Sequence, residues 1–283
     1  MYRAFSLSGL ALAAATAVPA YAQDIAAPPA KSVYDGDYFT LGAGAVVGPS
    51  YEGSDDYVVF PAFAFQGRVK GIGIAPRPAG LALDLLGDAR DAKFAFQLGP
   101  VARARLDRHQ QIEDPVVAML GKRDIAIEIG ANAGFSINRI ANAYDSLTFS
   151  LDARWDVAKA HRGMVLGPNA TYQTPLSKGV FAAVSLSAEH VDDDYARHYF
   201  SITPADSLAS GLAVFDADGG WKNVALGILG AIDLDGDLTN GGFAIYTGVV
   251  YSRLLGDFRR SPIVSARGSA DQFTGAVGIG YTF

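Results

Sequence analysis

Apolar residues alternate with small or polar residues along most of the chain, with a period of two. The C-terminus shows this best, because one face of that segment would carry Phe273, Gly275, Val277, Ile279, Tyr281 and Phe283. Successive side chains of a β-strand point to opposite faces, so this alternation is typical of a strand with one apolar face. The pattern predicts an all-β protein.

The same alternation, divided by turn residues, predicts about twelve strands. They fall near residues 38–47, 57–69, 71–76, 79–86, 93–106, 122–134, 145–158, 162–173, 179–190, 221–233, 241–253 and 272–283. The weakest part is 71–86, where Pro76 and Pro78 interrupt the pattern and cannot donate to a sheet. Ten strands is the alternative if this region does not form two.

Two architectures produce such alternation: a soluble β-sandwich, and a membrane β-barrel whose apolar face meets lipid. Strand length favours the barrel, since several segments run for about 10–13 residues and a tilted membrane strand needs about 9–11. Full charges at alternate positions also favour it, because a lumen tolerates charges that a small sandwich core does not. We therefore predict a transmembrane antiparallel up-and-down β-barrel over residues 38–283.

Residues 1–22 have the features of a secretory signal peptide, with Arg3 before an apolar stretch and Ala20-Tyr21-Ala22 as the cleavage pattern. Residues 23–37 would follow as a periplasmic linker. An even strand number places both barrel ends in the periplasm of a Gram-negative cell, with the barrel in its outer membrane. The long connections then face outward, and they comprise residues 48–56, 107–121, 191–220 and 254–271.

Composition narrows the range of partners. The chain has 29 acidic and 23 basic residues, a formal net charge of −6 and no cysteine. An acidic balance argues against nucleic acid, which is bound by a basic face. The lack of cysteine excludes a disulfide framework and a thiolate metal site. Outer-membrane lipid and lipopolysaccharide are the expected surroundings.

Charged residues on the less apolar face of the predicted strands would line the lumen. They are Arg103, Arg105, Asp124, Glu128, Asp152, Arg154 and Asp156. In an open channel such charges would select ions or solutes. If opposite charges pair across neighbouring strands, they would instead fill the barrel. Twelve strands lie between filled eight-stranded and open sixteen-stranded barrels, so both readings stay open, with a filled or narrow lumen favoured.

No group of residues predicts catalysis. The histidines lack zincin spacing, and no G-x-S-x-G motif is present. His190 and His198 flank the acidic run 192–194, which we expect to be a solvated loop. The turn 233–237 is rich in Asp and Gly, but Ala244 stands where a calcium-binding loop has its Glu. We expect no enzyme activity, no cofactor and no metal.

Two loop segments and the chain end carry a family resemblance. The first segment is Gly48-Pro49-Ser50-Tyr51-Glu52-Gly53-Ser54-Asp55-Asp56, followed by Pro61. The second is Tyr199-Phe200-Ser201-Ile202-Thr203-Pro204-Ala205, followed by Ser210-Gly211-Leu212 and Gly219-Gly220. In this order the segments resemble the MipA/OmpV family of outer-membrane proteins (MltA-interacting proteins), from about Tyr38 to Phe283. The terminal Tyr281-Thr282-Phe283 resembles the signal that the barrel-assembly machinery recognises.

The resemblance implies a β-barrel and, in one branch of the family, a scaffold joining murein-degrading and murein-synthesising enzymes. Other members are described as porin-like or adhesive, and no shared catalytic site is implied. The expected role is a structural scaffold for a murein transglycosylase and a penicillin-binding protein. A narrow porin-like channel and a surface adhesin are the alternatives. Docking needs a periplasmic surface, and the longest inner turn, 135–144, offers Asn138, Arg139, Asn142 and Tyr144.

Overall fold

A computed structural model describes residues 32–87 and 92–283, which form a closed β-barrel of twelve antiparallel strands. Each strand pairs with its neighbours in sequence, and the first strand closes the barrel against the last. The predicted signal peptide lies outside the described residues. The strands are β1 (Tyr38–Pro49), β2 (Tyr57–Val69), β3 (Ile72–Arg77), β4 (Gly80–Asp84), β5 (Phe94–Arg105), β6 (Ala126–Asn138), β7 (Ser146–Asp156), β8 (Met164–Ser177), β9 (Val180–Val191), β10 (Gly220–Asp233), β11 (Gly242–Leu254) and β12 (Asp271–Thr282).

The strand register determines which side chains meet lipid. Large exposed apolar side chains fall on one face of most long strands, among them Phe63, Leu98, Leu151 and Val277. The alternate positions hold small, polar or charged residues and point into the lumen. β1 pairs with β12 from Thr40–Thr282 to Val47–Gly275, so the sheet closes at the seam between the chain ends.

The region 71–86 forms two strands, and the prediction of twelve is confirmed. These strands are short, with six residues in β3 and five in β4. β3 pairs with β2 only from Gly67 to Val69. β4 pairs with β5 from Val101 to Arg103, and backbone hydrogen bonds from Ala104 to Ala79 and from Leu85 to Leu98 extend this contact at both ends. The tip of the β3–β4 hairpin therefore reaches the outer end of β5 but stops about halfway along β2.

The strand predicted over 122–134 begins later than expected, because β6 runs Ala126–Asn138. Residues 122–125 belong to an outer loop, where the Arg123 N–H donates to the carbonyl of Arg108 (2.9 Å). The same loop contains α1 (Pro115–Ala118), whose first turn is capped by the Asp114 carboxylate. These contacts take the place of strand pairing before Ala126.

The outer loops fold into a packed cap over the barrel. It contains α2 (Asp193–Phe200), α3 (Pro204–Ser210), α4 (Gly256–Arg260) and α5 (Pro262–Ser265). Fully buried side chains from these helices and from the loop after β1 form one apolar cluster, which includes Tyr51, Tyr195, Tyr199, Phe200, Phe258 and Ile263. Within the part of the chain that the structure describes, no helix is long and apolar enough to cross a membrane.

The inner side of the barrel has short turns and an ordered chain start. A short 3-10 helix (Val33–Asp35) lies against the turn between β10 and β11, where the Val33 N–H donates to the carbonyl of Thr239 (2.7 Å). Residues 32–37 of the predicted linker are therefore held on the barrel. Residues 23–31 lie outside the described part.

Close approach of β6 and β7 depends on glycine at position 130. A Cβ atom built there would overlap the carbonyl oxygen of Ala153, whereas one built at Gly275 meets nothing within 4 Å. We expect Gly130→Ala to destabilise the barrel by about 1–3 kcal/mol through overpacking. The temperature at which the folded band is lost in heat-modifiability gels should fall for Gly130→Ala and hold for Gly275→Ala. Equal midpoints for the two variants would contradict this account.

Candidate functional site

Ion-paired side chains cross the lumen in its outer half. We call this set the charged layer, and five cations face four carboxylates in it: Arg77, Arg103, Arg105, Arg154 and Lys222 with Glu52, Glu128, Asp152 and Glu189. All except Glu52 stand on strands, and alternation directs the side chains of all of these except Lys222 inward. Glu52 enters from the loop after β1.

Glu128 lies at the centre of the charged layer and is fully buried. One carboxylate oxygen accepts from Arg105 Nε (2.6 Å) and the other from Arg154 Nε (3.0 Å). His161 Nε2 lies 3.4 Å from the first of these oxygens. β6 places Glu128 directly between its two arginine partners, because Arg105 comes from β5 and Arg154 from β7.

Glu189 and Glu52 extend the layer to the opposite wall. Glu189 pairs with Arg103 (2.8 Å), Arg154 (2.9 Å) and Lys222 (2.6 Å). Glu52 accepts from Lys222 and from Arg105 Nη1 (2.9 Å). Burial by itself would raise the pKa of Glu52, but the charges of Lys222 and Arg105 outweigh burial and hold that pKa below its ordinary value. The Glu52 carboxylate is therefore charged at neutral pH.

Arg77 joins the β3–β4 hairpin to the far side of the lumen. Its Nε and Nη2 donate to the two carboxylate oxygens of Asp152 on β7, at 2.8 and 3.2 Å. Asn132 Nδ2 also donates to Asp152, at 2.6 Å. This bidentate pair has the geometry that makes arginine–carboxylate contacts strong.

The cap rests directly on the charged layer. The Tyr195 hydroxyl on α2 donates to Glu52 (3.0 Å), and Lys222 Nζ lies 3.2 Å from that hydroxyl oxygen. The Arg105 guanidinium sits over the Tyr195 ring, 4.9 Å from its centroid. Arg108, which is fully buried, donates to the carbonyl of Tyr199 (2.9 Å). The layer and the cap core therefore form one continuous packed unit.

His198 packs within the cap, although the sequence predicted a solvated loop around the acidic run 192–194. Its ring packs edge-on against Tyr199, with ring centroids 4.5 Å apart. Burial and the nearby charge of Arg123 lower the pKa of His198 to about 4. The imidazole is therefore neutral at physiological pH. Asp192 in the neighbouring acidic run caps α2 by accepting from the Tyr195 N–H.

The structure brings together five of the residues that the sequence places in the lumen, namely Arg103, Arg105, Glu128, Asp152 and Arg154. The other two lie outside this cluster. Asp124 is exposed in the loop before β6, because β6 starts only at Ala126. Asp156 ends β7, where its carboxylate accepts from three backbone N–H groups of the following turn.

Sequence reasoning missed the remaining members of the charged layer. Glu189 follows Ser185 and Ser187 on the inward face of β9, so alternation could have identified it. Lys222 sits at a register shift in β10, which hides its direction from a simple period of two. Arg77 ends a strand that contains Pro76, and Glu52 lies in a loop without periodicity. The alternation pattern therefore could not identify either residue as facing the lumen.

The four residues proposed for periplasmic contact lie in or beside the turn between β6 and β7. Arg139 and Tyr144 are exposed, whereas Asn138 and Asn142 are half-buried. Asn142 Nδ2 donates to Thr174 Oγ1 (2.9 Å) and so joins this turn to the end of β8. Buried Asp145, which the sequence did not single out, shapes the turn by accepting from the backbone N–H groups of Ile140 and Ala141.

The aromatic chain end lies on the outer surface of the barrel near its inner rim. Tyr281 packs edge-on against Phe243 (centroids 4.7 Å apart) and Phe283 (4.6 Å). The Phe283 N–H donates to the carbonyl of Phe39 (2.9 Å), which fixes the end of the chain beside β1. The predicted assembly-signal residues are therefore accessible from the membrane side.

Residues 41–283 match the sequence model of the family described as MltA-interacting protein MipA. The chain belongs to this family. The match confirms the resemblance seen in the loops, and the fold is that of a MipA-family outer-membrane barrel. The loop motif has a structural reason, because Tyr199, Phe200 and Ile202 are fully buried in the cap.

No curated protein matches this MipA-family chain. Among solved structures, the CymD monoaromatic hydrocarbon channel aligns with 11% identity and a TM-score of 0.37, covering 87% of this chain and 88% of that one. The outer membrane protein OprD from Pseudomonas aeruginosa aligns with 9% identity and a TM-score of 0.31, covering 91% and 96%. Similarity this low carries no functional inference.

Glu128 should be the most sensitive member of the charged layer in this MipA-family barrel. Glu128→Gln removes the carboxylate that both Arg105 and Arg154 need, and leaving a buried charge unpaired typically costs about 3–5 kcal/mol. We expect urea unfolding of the refolded barrel to show a loss of this size. Arg253→Met, which breaks the exposed pair with Asp271, is the matched control and should change little. Equal losses in the two variants would contradict a structural role for the layer.

Proposed function

We propose that this protein is exported to the outer membrane and acts there as a structural and interaction protein, with no catalytic activity. In this proposal its periplasmic side docks a murein transglycosylase and, in the same assembly, a penicillin-binding protein. The description of the family, MltA-interacting protein, supports the first partner. The filled lumen supports a role other than passage of ions along the barrel axis.

The charged layer beneath the cap is the observation that carries the proposal. An ion moving along the axis would have to separate Glu128 from its two arginines and displace the buried cap residues Tyr195 and Tyr199. Breaking one buried pair costs several kcal/mol. A barrel closed in this way is a rigid support, and its accessible surfaces on the periplasmic side are the inner turns.

The inner turns offer a small mixed surface for docking. Ile140 and Leu176 are exposed on neighbouring turns, beside exposed Lys178. The hydrogen bond from Asn142 to Thr174 holds these two turns together. Leu234, on the turn after β10, is also exposed. A patch of this size fits a transient contact, since stable interfaces bury about 1,200–2,000 Å².

Crosslinking in intact cells tests the docking surface. We expect photo-crosslinkers at Arg139 and Lys178 to capture a murein transglycosylase or a penicillin-binding protein, because both residues face the murein side. The control position is Leu208 on α3, which is 90% exposed at the outer cap. Capture only from Leu208, by another cell or by secreted material, would replace docking with adhesion.

Planar bilayers test the closed axis. Correctly folded protein should give no stepwise ionic conductance, because the charged layer and the cap block the axial path. The double variant Arg103→Glu with Arg105→Glu removes two cations from the layer and should open a measurable current. Stepwise conductance from the unmodified protein, with an ion preference that the double variant shifts, would establish the porin-like alternative instead.

A further inference from the structure

The lumen contains open space below the charged layer. Leu229 on β10 and Val250 on β11 point inward by alternation, and they are nevertheless 43% and 39% exposed. Ala276 on β12 and Ala64 on β2 also point inward and are exposed. A side chain that points into a closed barrel is exposed only to the lumen. These four residues therefore border an accessible space, which we call the inner chamber.

One wall of the inner chamber carries uncharged hydrogen-bonding groups. On β5 to β9, the inward positions between the charged layer and the inner strand ends hold no charged side chain. Asn169 Nδ2 donates to Thr171 Oγ1 (2.9 Å) on this wall. Hydroxyl and amide side chains both donate and accept hydrogen bonds. The half-buried members of this polar wall are Gln97, Ser150, Asn169, Thr171, Ser185 and Ser187.

The wall across the inner chamber is apolar. In a closed ring of twelve strands β11 lies opposite β5, so Val250 stands across the chamber from Gln97. Tyr246 also points inward from β11, and one edge of its ring lies against Gly280 on β12. A Cβ atom built at Gly280 would lie 2.7 Å from Tyr246 Cε2. Tyr246 is only half-buried, so part of its ring is open to the chamber.

Phe181 adds a second aromatic ring near the inner mouth of the chamber. It is the second residue of β9 and is half-buried. Phe181 pairs with Ala231, and Ala231 pairs with Tyr246, so the two rings flank one small residue in a single row. Two strand spacings separate their backbones by roughly 10 Å. The two rings therefore line the path from the inner mouth into the chamber.

The inner chamber is covered on its outer side and borders the periplasm on its inner side. The charged layer and the cap lie above it. The strand connections described at the inner end are short, with two residues between β2 and β3 and two between β8 and β9. A solute therefore enters the chamber from the periplasm and leaves it by the same route.

The two walls together match a neutral molecule that is polar on one side and apolar on the other. An ion meets no counter-charge on the polar wall, and an unpaired charge is costly to desolvate. A purely apolar molecule would leave the hydroxyl and amide groups without hydrogen-bond partners. A sugar satisfies both walls, because its hydroxyl groups donate and accept while its CH face packs on an aromatic ring.

We propose that the inner chamber binds a neutral oligosaccharide that enters from the periplasm. The sugar rings pack against Tyr246 and Phe181, and the hydroxyl groups bond to the polar wall. The N-acetylated glycan of murein and free glucans are two sources of this chemistry. The inference rests on the outer-membrane placement in the proposed function, and it does not depend on the docking of a murein enzyme.

Cysteine labelling tests the direction of access. The chain has no cysteine, so each single-cysteine variant reports one position. A bulky maleimide that does not cross the outer membrane should label Leu208→Cys on the cap in intact cells. The same reagent should label Ser185→Cys in the chamber only after the outer membrane is permeabilised. Labelling of Ser185→Cys in intact cells, or no labelling after permeabilisation, would overturn periplasmic entry.

Titration calorimetry tests binding by the purified, folded protein in a detergent without a sugar head group. We expect binding of triacetylchitotriose or maltotriose, which are both neutral. Deacetylated chitotriose is cationic and should bind about tenfold more weakly or not at all. Tyr246→Leu should weaken binding about tenfold, whereas Tyr246→Phe retains the ring and should retain binding. Leu229→Trp fills the chamber and should abolish binding, and Val277→Trp on the lipid face should leave it unchanged.

Heat-modifiable migration verifies that each variant is folded. Tighter binding of triacetylchitotriose would identify a murein-type glycan as the source, and tighter binding of maltotriose would identify a glucan. Equal affinities would show a site that recognises the sugar chemistry common to both. Binding of neither trisaccharide, or binding that both Tyr246→Leu and Leu229→Trp leave unchanged, would overturn the proposal. These outcomes are independent of crosslinking from Arg139, so a failure of sugar binding and a failure of docking are separate results.

Discussion

Lipid offers no hydrogen bonds, and the rest of this structure depends on that constraint. It requires the sheet to close on itself, which joins β1 to β12 across almost the whole chain. Closure in turn divides every strand into a lipid face and a lumen face. Phe63 and Val277 therefore meet the membrane, while Glu128 and Arg105 can exist only inside. The charged layer is a consequence of having an interior that lipid cannot reach.

The charged layer and the cap are two parts of one core. Burying a single charge costs several kcal/mol of desolvation free energy. The charges of the layer are tolerated because each carboxylate contacts more than one cation. Tyr195 links the two parts, since its hydroxyl bonds Glu52 while its ring lies in the apolar cluster. A barrel of this size thus gains a packed centre from its loops, where a smaller barrel fills its lumen with strand side chains alone.

Sequence alone predicted most of the fold, because the constraint from lipid acts on every strand. The alternation in Phe273–Phe283 and the turn residues were enough to place twelve strands. The site was predicted only where it shares that periodicity, as at Arg103 and Arg154. Glu52 reaches the layer from a loop, so its role depends on contacts with residues far away in sequence. Asp124 was wrongly placed because loop contacts, rather than alternation, determine where β6 begins.

The seam between β1 and β12 also determines when folding can finish. Thr40 and Thr282 bond side chain to side chain although 242 positions separate them in the chain. Before β12 is in place, β1 and β11 each have an edge of unpaired backbone groups, which hydrocarbon cannot hydrogen-bond. Strand-by-strand insertion is therefore unfavourable at each intermediate stage. The barrel can close only after β12 has been made and paired. A chain that ends before β12 would therefore keep an open sheet and would be cut by proteases.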